Sequence, residues 1–212
     1  MSEKLNYKYS NTEEQLNIWS HAFGLLVSVI ALPFLLIKAF NYSGFWKPVS
    51  FIIYGISMII LYAASTFYHA AKDPKKRRKL NILDHAAIYV LIAGSYTPYC
   101  LVGLDSSLGN YMAIFVWLFA LIGVILKLFF TGRFSKISTA MYLLMGWQVV
   151  FFIGPLMDSI SSFSINLLFL GGVFYSIGAI LYMIRKLPYN HAIFHLFVLL
   201  GSFSHFFSIY YL

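Results

Sequence analysis

Apolar residues in this chain fall into seven runs of roughly twenty, the length a helix needs to cross the hydrocarbon of a bilayer. They occupy residues 17–40, 47–70, 80–102, 111–131, 136–157, 163–184 and 191–212, and the connections are too short to hold a soluble domain. A chain inside lipid must satisfy its own backbone hydrogen bonds, so runs of this length predict helices. The expected fold is an all-α integral membrane protein. Residues 1–212 form a single seven-helix transmembrane domain, opened by a short polar N-terminal segment over 1–16. Pro33, Pro98 and Pro155 fall inside or near span ends, where proline can kink a helix.

Composition agrees with this. The 212 residues are 60% hydrophobic and 10% charged, with a mean hydropathy of +0.78, whereas soluble domains carry about 25% charged residues. The net charge of +8 raises nucleic acid as a partner, but the basic residues sit in short connections between apolar runs and not along a reading face. No nucleic-acid partner is expected. The first fifteen residues lack the basic-then-apolar order of a secretory signal, so the N-terminus is expected to be retained. A single cysteine, Cys100, rules out an internal disulfide.

Charge placement sets the expected topology. Lys4, Lys8, Lys72, Lys75, Lys76, Arg77, Arg78, Lys79, Lys127, Arg133, Lys136, Arg185 and Lys186 share the side of the N-terminus, thirteen of the fifteen basic residues. Only Lys38 and Lys47 fall on the other side, beside Asp105 and Asp158. The positive-inside rule therefore places the N-terminus in the cytoplasm and the C-terminus outside. That is the reverse of a G-protein-coupled receptor, and no G protein is expected as a partner. The run over 75–79 could also bind anionic lipid headgroups, although topology alone accounts for it.

Candidate chemistry collects at one depth. His191 and His195 stand one turn apart on one face at the start of the last span. His69 falls in the last turn of the second span, and Asp84 one turn past the basic loop in the third. At 1.5 Å per residue all four lie within roughly 10 Å of the inner boundary. Any one membrane histidine is more often a hydrogen-bonder across helices. Together the four point to a metal site, because unpaired ionisable groups are costly in lipid. Three imidazoles with one open position suit catalytic Zn2+, which can lower the pKa of bound water to about 7. Asp84 could bind the ion directly or hold the water as a base. Ser65, one turn before His69, could orient a substrate carbonyl or the water. His85 should face another surface, and His205 lies about 15 Å further along its helix, a structural hydrogen-bonder. His21 is at the right depth but is placed outside the ligand set, since a fourth histidine would close the site.

Four motifs carry a resemblance. The run EQLNIWSH (residues 14–21) resembles the opening motif of the hemolysin III proteins and of the progestin and adipoQ receptors, which include the adiponectin receptors. STFYH (65–69) is similar to that family's second motif, and LDHAAIY (83–89) with GSYTP (94–98) to the bacterial hemolysin III form of the third. HAIFH (191–195), with Gly201 and His205 beyond, resembles the last. The match covers nearly the whole chain, and its compact loops are similar to the bacterial branch. The resemblance implies seven helices, a cytoplasmic N-terminus, and zinc held by His69, His191 and His195, with Asp84 acting through water and Ser65 close by. The wider superfamily includes the alkaline ceramidases, where such a site is associated with hydrolysis of lipid amides. The expectation is a multi-pass protein of a bacterial cell membrane, acting as a zinc-dependent hydrolase of lipid amides or esters with membrane lipid as its partner. The alternatives are a membrane-permeabilising cytolysin, or a receptor or regulator of membrane homeostasis, with zinc purely structural.

Overall fold

A computed structural model describes residues 9–41, 44–104, 106–132, 134–184 and 186–212. Lys4, Lys8, Asp105, Arg133 and Arg185 lie outside the described residues. The described residues form eight α-helices: α1 Asn11–Phe40, α2 Trp46–Ala70, α3 Pro74–Pro98, α4 Ser107–Phe130, α5 Ser135–Gly146, α6 Ile153–Ser159, α7 Ser162–Met183 and α8 Asn190–Tyr210. They form seven candidate spans, because α3 runs on through a π-turn to Gly103, and α5 and α6 join through a 3₁₀ stretch into one crossing, Lys136–Ser159. The protein is a multi-pass, seven-helix membrane protein.

The helices are turned inside out relative to a soluble bundle. α1 presents Trp19, Phe23, Leu26, Ile30, Phe34 and Ile37 outward and buries Asn17, His21, Gly24, Ser28, Ala31 and Leu35. Lipid removes the hydrophobic drive between helices, so small and polar residues take the contacts and large apolar ones face the tails. Gly24 shows this most directly: a Cβ there would stand 2.6 Å from the Tyr62 ring and 2.9 Å from Leu199. α1 therefore lies close against both α2 and α8. Helix packing runs α1 on α2, α2 on α3, α3 on α4 and α7 on α8, with α1 against α8 closing the bundle.

α1 starts six residues before the first span read from the sequence. Ser10 caps it, its hydroxyl accepting from the Glu13 N–H at 3.2 Å, and Glu13 and Glu14 sit in the first turn, where the helix dipole favours carboxylates. Hydropathy cannot extend a span across two acids; capping does. The segment over 1–16 is thus helical from Asn11. That end of the bundle, where α1, α3 and α8 begin and α2 ends, carries the polar cluster.

Candidate metal centre

Three helix ends meet there and complete one another. α2 finishes at Ala70, and its last carbonyls lack the next helical turn that would bond them. Asp73 caps α3 by accepting from the Lys76 N–H at 2.7 Å, Pro74 takes the first turn, and Arg77 is thereby turned back onto α2. Its guanidinium donates to the carbonyls of Tyr68 (3.4 Å), His69 (3.2 Å) and Ala71 (3.3 Å). It also pairs with the Glu14 carboxylate of α1. α8 begins after Tyr189, whose φ of +56° is left-handed, and has no side-chain cap of its own. Glu13 of α1 supplies one, accepting from the His191 N–H at 3.3 Å.

Within this frame the imidazoles of His69, His191 and His195 converge, their ligand nitrogens all within 4.8 Å of one another and all three side chains buried. Each Nδ1 already has a partner. His69 Nδ1 donates to Glu14 Oε2 at 2.7 Å. His195 Nδ1 lies 3.2 Å from Ser20 Oγ, and since that hydroxyl gives its own proton to the Asn17 carbonyl, its oxygen is left to accept from the imidazole. His191 Nδ1 lies 3.2 Å from the Tyr9 hydroxyl, whose ring stacks on it at 4.8 Å. Burial holds the Tyr9 hydroxyl well above its ordinary pKa, so it stays a neutral partner.

Donation by Nδ1 to Glu14 in His69 and to Ser20 in His195 leaves the lone pair of each ring on Nε2, aimed inward. His69 Nε2 and His191 Nε2 stand 3.1 Å apart. His191 Nε2 meets that lone pair either as a proton donor, when the Tyr9 hydroxyl donates to its Nδ1, or as a second ligand with a cation between them. Tetrahedral zinc with Zn–N near 2.05 Å would set its imidazole nitrogens about 3.3 Å apart. The donor set therefore fits a divalent metal of zinc type, with outer hydrogen bonds on each imidazole of the kind that orient metal ligands.

Asp84 is buried and stands outside the convergent set. With His191 and His195 it lines a cavity of about 160 Å³ that reaches as far as His205 along α8. Ser65 is buried on α2 and turned toward Asp84, its hydroxyl without a formed hydrogen bond among the described residues. His85 differs from expectation. It lines the same cavity, its Nδ1 donating to the Asn81 carbonyl at 2.9 Å and lying 3.6 Å from Asp84 Oδ2. Although neighbours on a helix point about 100° apart, the cavity is wide enough across α3 to meet both. His205 Nε2 is 3.2 Å from the Leu168 carbonyl. His21 lies flat against His195, ring centroids 3.4 Å apart and planes within 9°, and is absent from the convergent set.

Glu13, Glu14, Arg77, Tyr9 and Ser20 were missed by reading depth and metal-ligand type alone. Two acids against the start of an apolar run were the available signal for the glutamates. Arg77 is indistinguishable in sequence from the neighbours that set topology.

Fold and site together define a multi-pass membrane protein with a buried three-histidine cluster at one end of a seven-helix bundle. The family model described as "Haemolysin-III related" matches residues 9–206. The chain is 47% identical over 197 residues to the "Hemolysin-3 homolog" of Bacillus subtilis (strain 168), covering 93% of this chain and 92% of that one. It is 42% identical over 210 residues to the "Hemolysin-3" of Bacillus cereus, covering 99% and 96%. Human "Monocyte to macrophage differentiation factor" is 27% identical over 209 residues, covering 96% and 85%. The chain belongs to the haemolysin-III related family.

Proposed function

We propose that this protein is a zinc-dependent hydrolase of lipid amides or esters, acting at the cytoplasmic side of the membrane. One observation carries the reading: three buried imidazoles converge beside a cavity that also holds a buried carboxylate, Asp84. His69, His191 and His195 would hold the ion, which when bound supplies Lewis acidity and lowers the pKa of water at its open position. Asp84, outside the ligand set but lining the same cavity, would take the proton of the attacking water. Ser65, its hydroxyl uncommitted on the same side, would donate to the substrate carbonyl oxygen as charge develops there. Leu91, Ile92, Leu168, Phe169, Phe194 and Val198 form apolar wall of the cavity, which suits an acyl chain of a membrane lipid. The basic residues over 75–79 support an N-terminus in the cytoplasm and, after seven crossings, a C-terminus outside.

A second reading is a membrane-permeabilising protein in which the ion only clamps α2 to α8. It is favoured by the printed name of the Bacillus cereus relative. Asp84→Asn separates the two. If Asp84 is the base, zinc content and melting temperature stay near wild type, and hydrolysis of a panel of ceramide-like lipids falls by about 10²–10⁴. If it merely props a structural ion, the same change costs about 10–100-fold in zinc affinity and lowers the melting temperature with it. A wild type that turns over none of the panel, with a variant that loses zinc, would sink the hydrolase reading.

A further inference from the structure

We infer that α1 carries a water path into the three-histidine site, along the seam it shares with α8. Glu13, Asn17 and His21 recur every four residues and so form one stripe, from the first turn of α1 to the level of His195. The stripe is about 12 Å long at 1.5 Å per residue. All three side chains are buried: Glu13 is 9% exposed, Asn17 0% and His21 3%. Glu13 is engaged with the α8 backbone. Below it, both amide atoms of Asn17 and both ring nitrogens of His21 have no partner among the described residues.

Four such atoms inside a membrane are costly, about 1–3 kcal/mol for each unsatisfied group, and lipid offers no donor or acceptor. A hydrogen-bonding occupant has to be present. It is small, since Asn17 is 0% exposed and does not line the cavity that His21 borders. Water fits: buried waters make about three hydrogen bonds to otherwise unsatisfied groups, and a side-chain amide and an imidazole edge supply them. His21 lies face to face with His195, so its nitrogens point out of that stack, and it borders the apolar cavity. It is thus the last polar group before the cavity.

The stripe also stops there. Gly24 brings α1 against Tyr62 and Leu199, and Ser28 turns its hydroxyl back onto the Gly24 carbonyl at 2.7 Å. The path leads to the site and does not cross the membrane. On the hydrolase reading, on which this consequence alone rests, water is a substrate that the apolar cavity is poorly suited to deliver. Lipid and water would then arrive by separate doors.

Hydroxyl-radical footprinting of the wild-type protein in phosphatidylcholine nanodiscs tests the path without any lipid substrate. His21 and His205 are chemically alike and both inside the bundle, but His205 is bonded to a carbonyl. His21 should be oxidised several-fold faster than His205, and Asn17→Leu should bring its rate down to that of His205 with zinc content unchanged. Equal rates in wild type, or a fast His21 indifferent to Asn17→Leu, would overturn the path. Should Asn17→Leu fail to fold, the smaller Asn17→Cys decides. Its thiol should be oxidised by the same hydroxyl radicals several-fold faster than buried Cys100, and an equal rate overturns the proposal. Because none of these readouts involves turnover, a dry seam and an absent hydrolase activity are told apart.

Discussion

Replacing Glu14 with alanine removes two contacts at once, and the two losses should appear in different measurements. One carboxylate oxygen holds His69 Nδ1 at 2.7 Å; the other pairs with Arg77. Loss of the outer partner of a metal-binding imidazole costs about 10–100-fold in affinity, or about 1.4–2.7 kcal/mol. Loss of one member of a buried ion pair costs about 3–5 kcal/mol because the other charge is stranded. Arg77 keeps its three carbonyl acceptors on α2, so the lower end of that range, about 3 kcal/mol, is expected. On the scale of soluble domains this lowers the melting point by on the order of 6–12 °C. Zinc affinity by competition with a chromophoric chelator and melting in zinc excess read the two effects separately. Adding Arg77→Met should recover part of the stability and none of the affinity. Glu14→Gln, still an acceptor for His69, should lose less affinity than Glu14→Ala. An alanine variant that melts early but binds zinc as wild type does would refute the orienting role of Glu14 on His69.

Metal analysis should find about one zinc per purified chain, largely lost in His191→Ala and kept in His205→Ala; equal retention in both would remove the proposed ligand set. A reporter fused after Leu212 should read as external and one in the connection over 71–73 as cytoplasmic, and a cytoplasmic C-terminus would overturn the orientation. Gly24→Ala drives a methyl into the Tyr62 ring and should destabilise by about 1–3 kcal/mol, the usual cost of overpacking, seen as a lower melting temperature at unchanged zinc stoichiometry.

The fold was legible because lipid imposes a single requirement, length of apolar run, and the sequence meets it seven times. The interruptions were legible in part: Pro98 marks the place where the π-turn begins, whereas nothing in hydropathy marks the 3₁₀ stretch at Trp147, which keeps the chain apolar. At the site, His69, His191 and His195 could be grouped because depth follows from counting residues along a helix. What holds each imidazole could not be read the same way. Tyr9 and Ser20 reach histidines 182 and 175 residues away, and partners that distant are brought together by helix packing, on which single-sequence spacing is silent. His85 failed as an expectation for a related reason: the direction of a side chain was judged without the width of the cavity it faces.

Glu13 capping α8 has a consequence for how the protein is made. The first helix inserted carries the acceptor for the last one, 178 residues later. Until α8 arrives, Glu13, Asn17 and His21 belong to a helix whose partner has not been synthesised, and the start of α8 has no cap of its own to make it independent. The α1–α8 seam is therefore the closing joint of a ring, and the last contacts formed are those around the histidines. A nascent chain stalled anywhere before residue 191 presents a first helix with an unmet polar stripe.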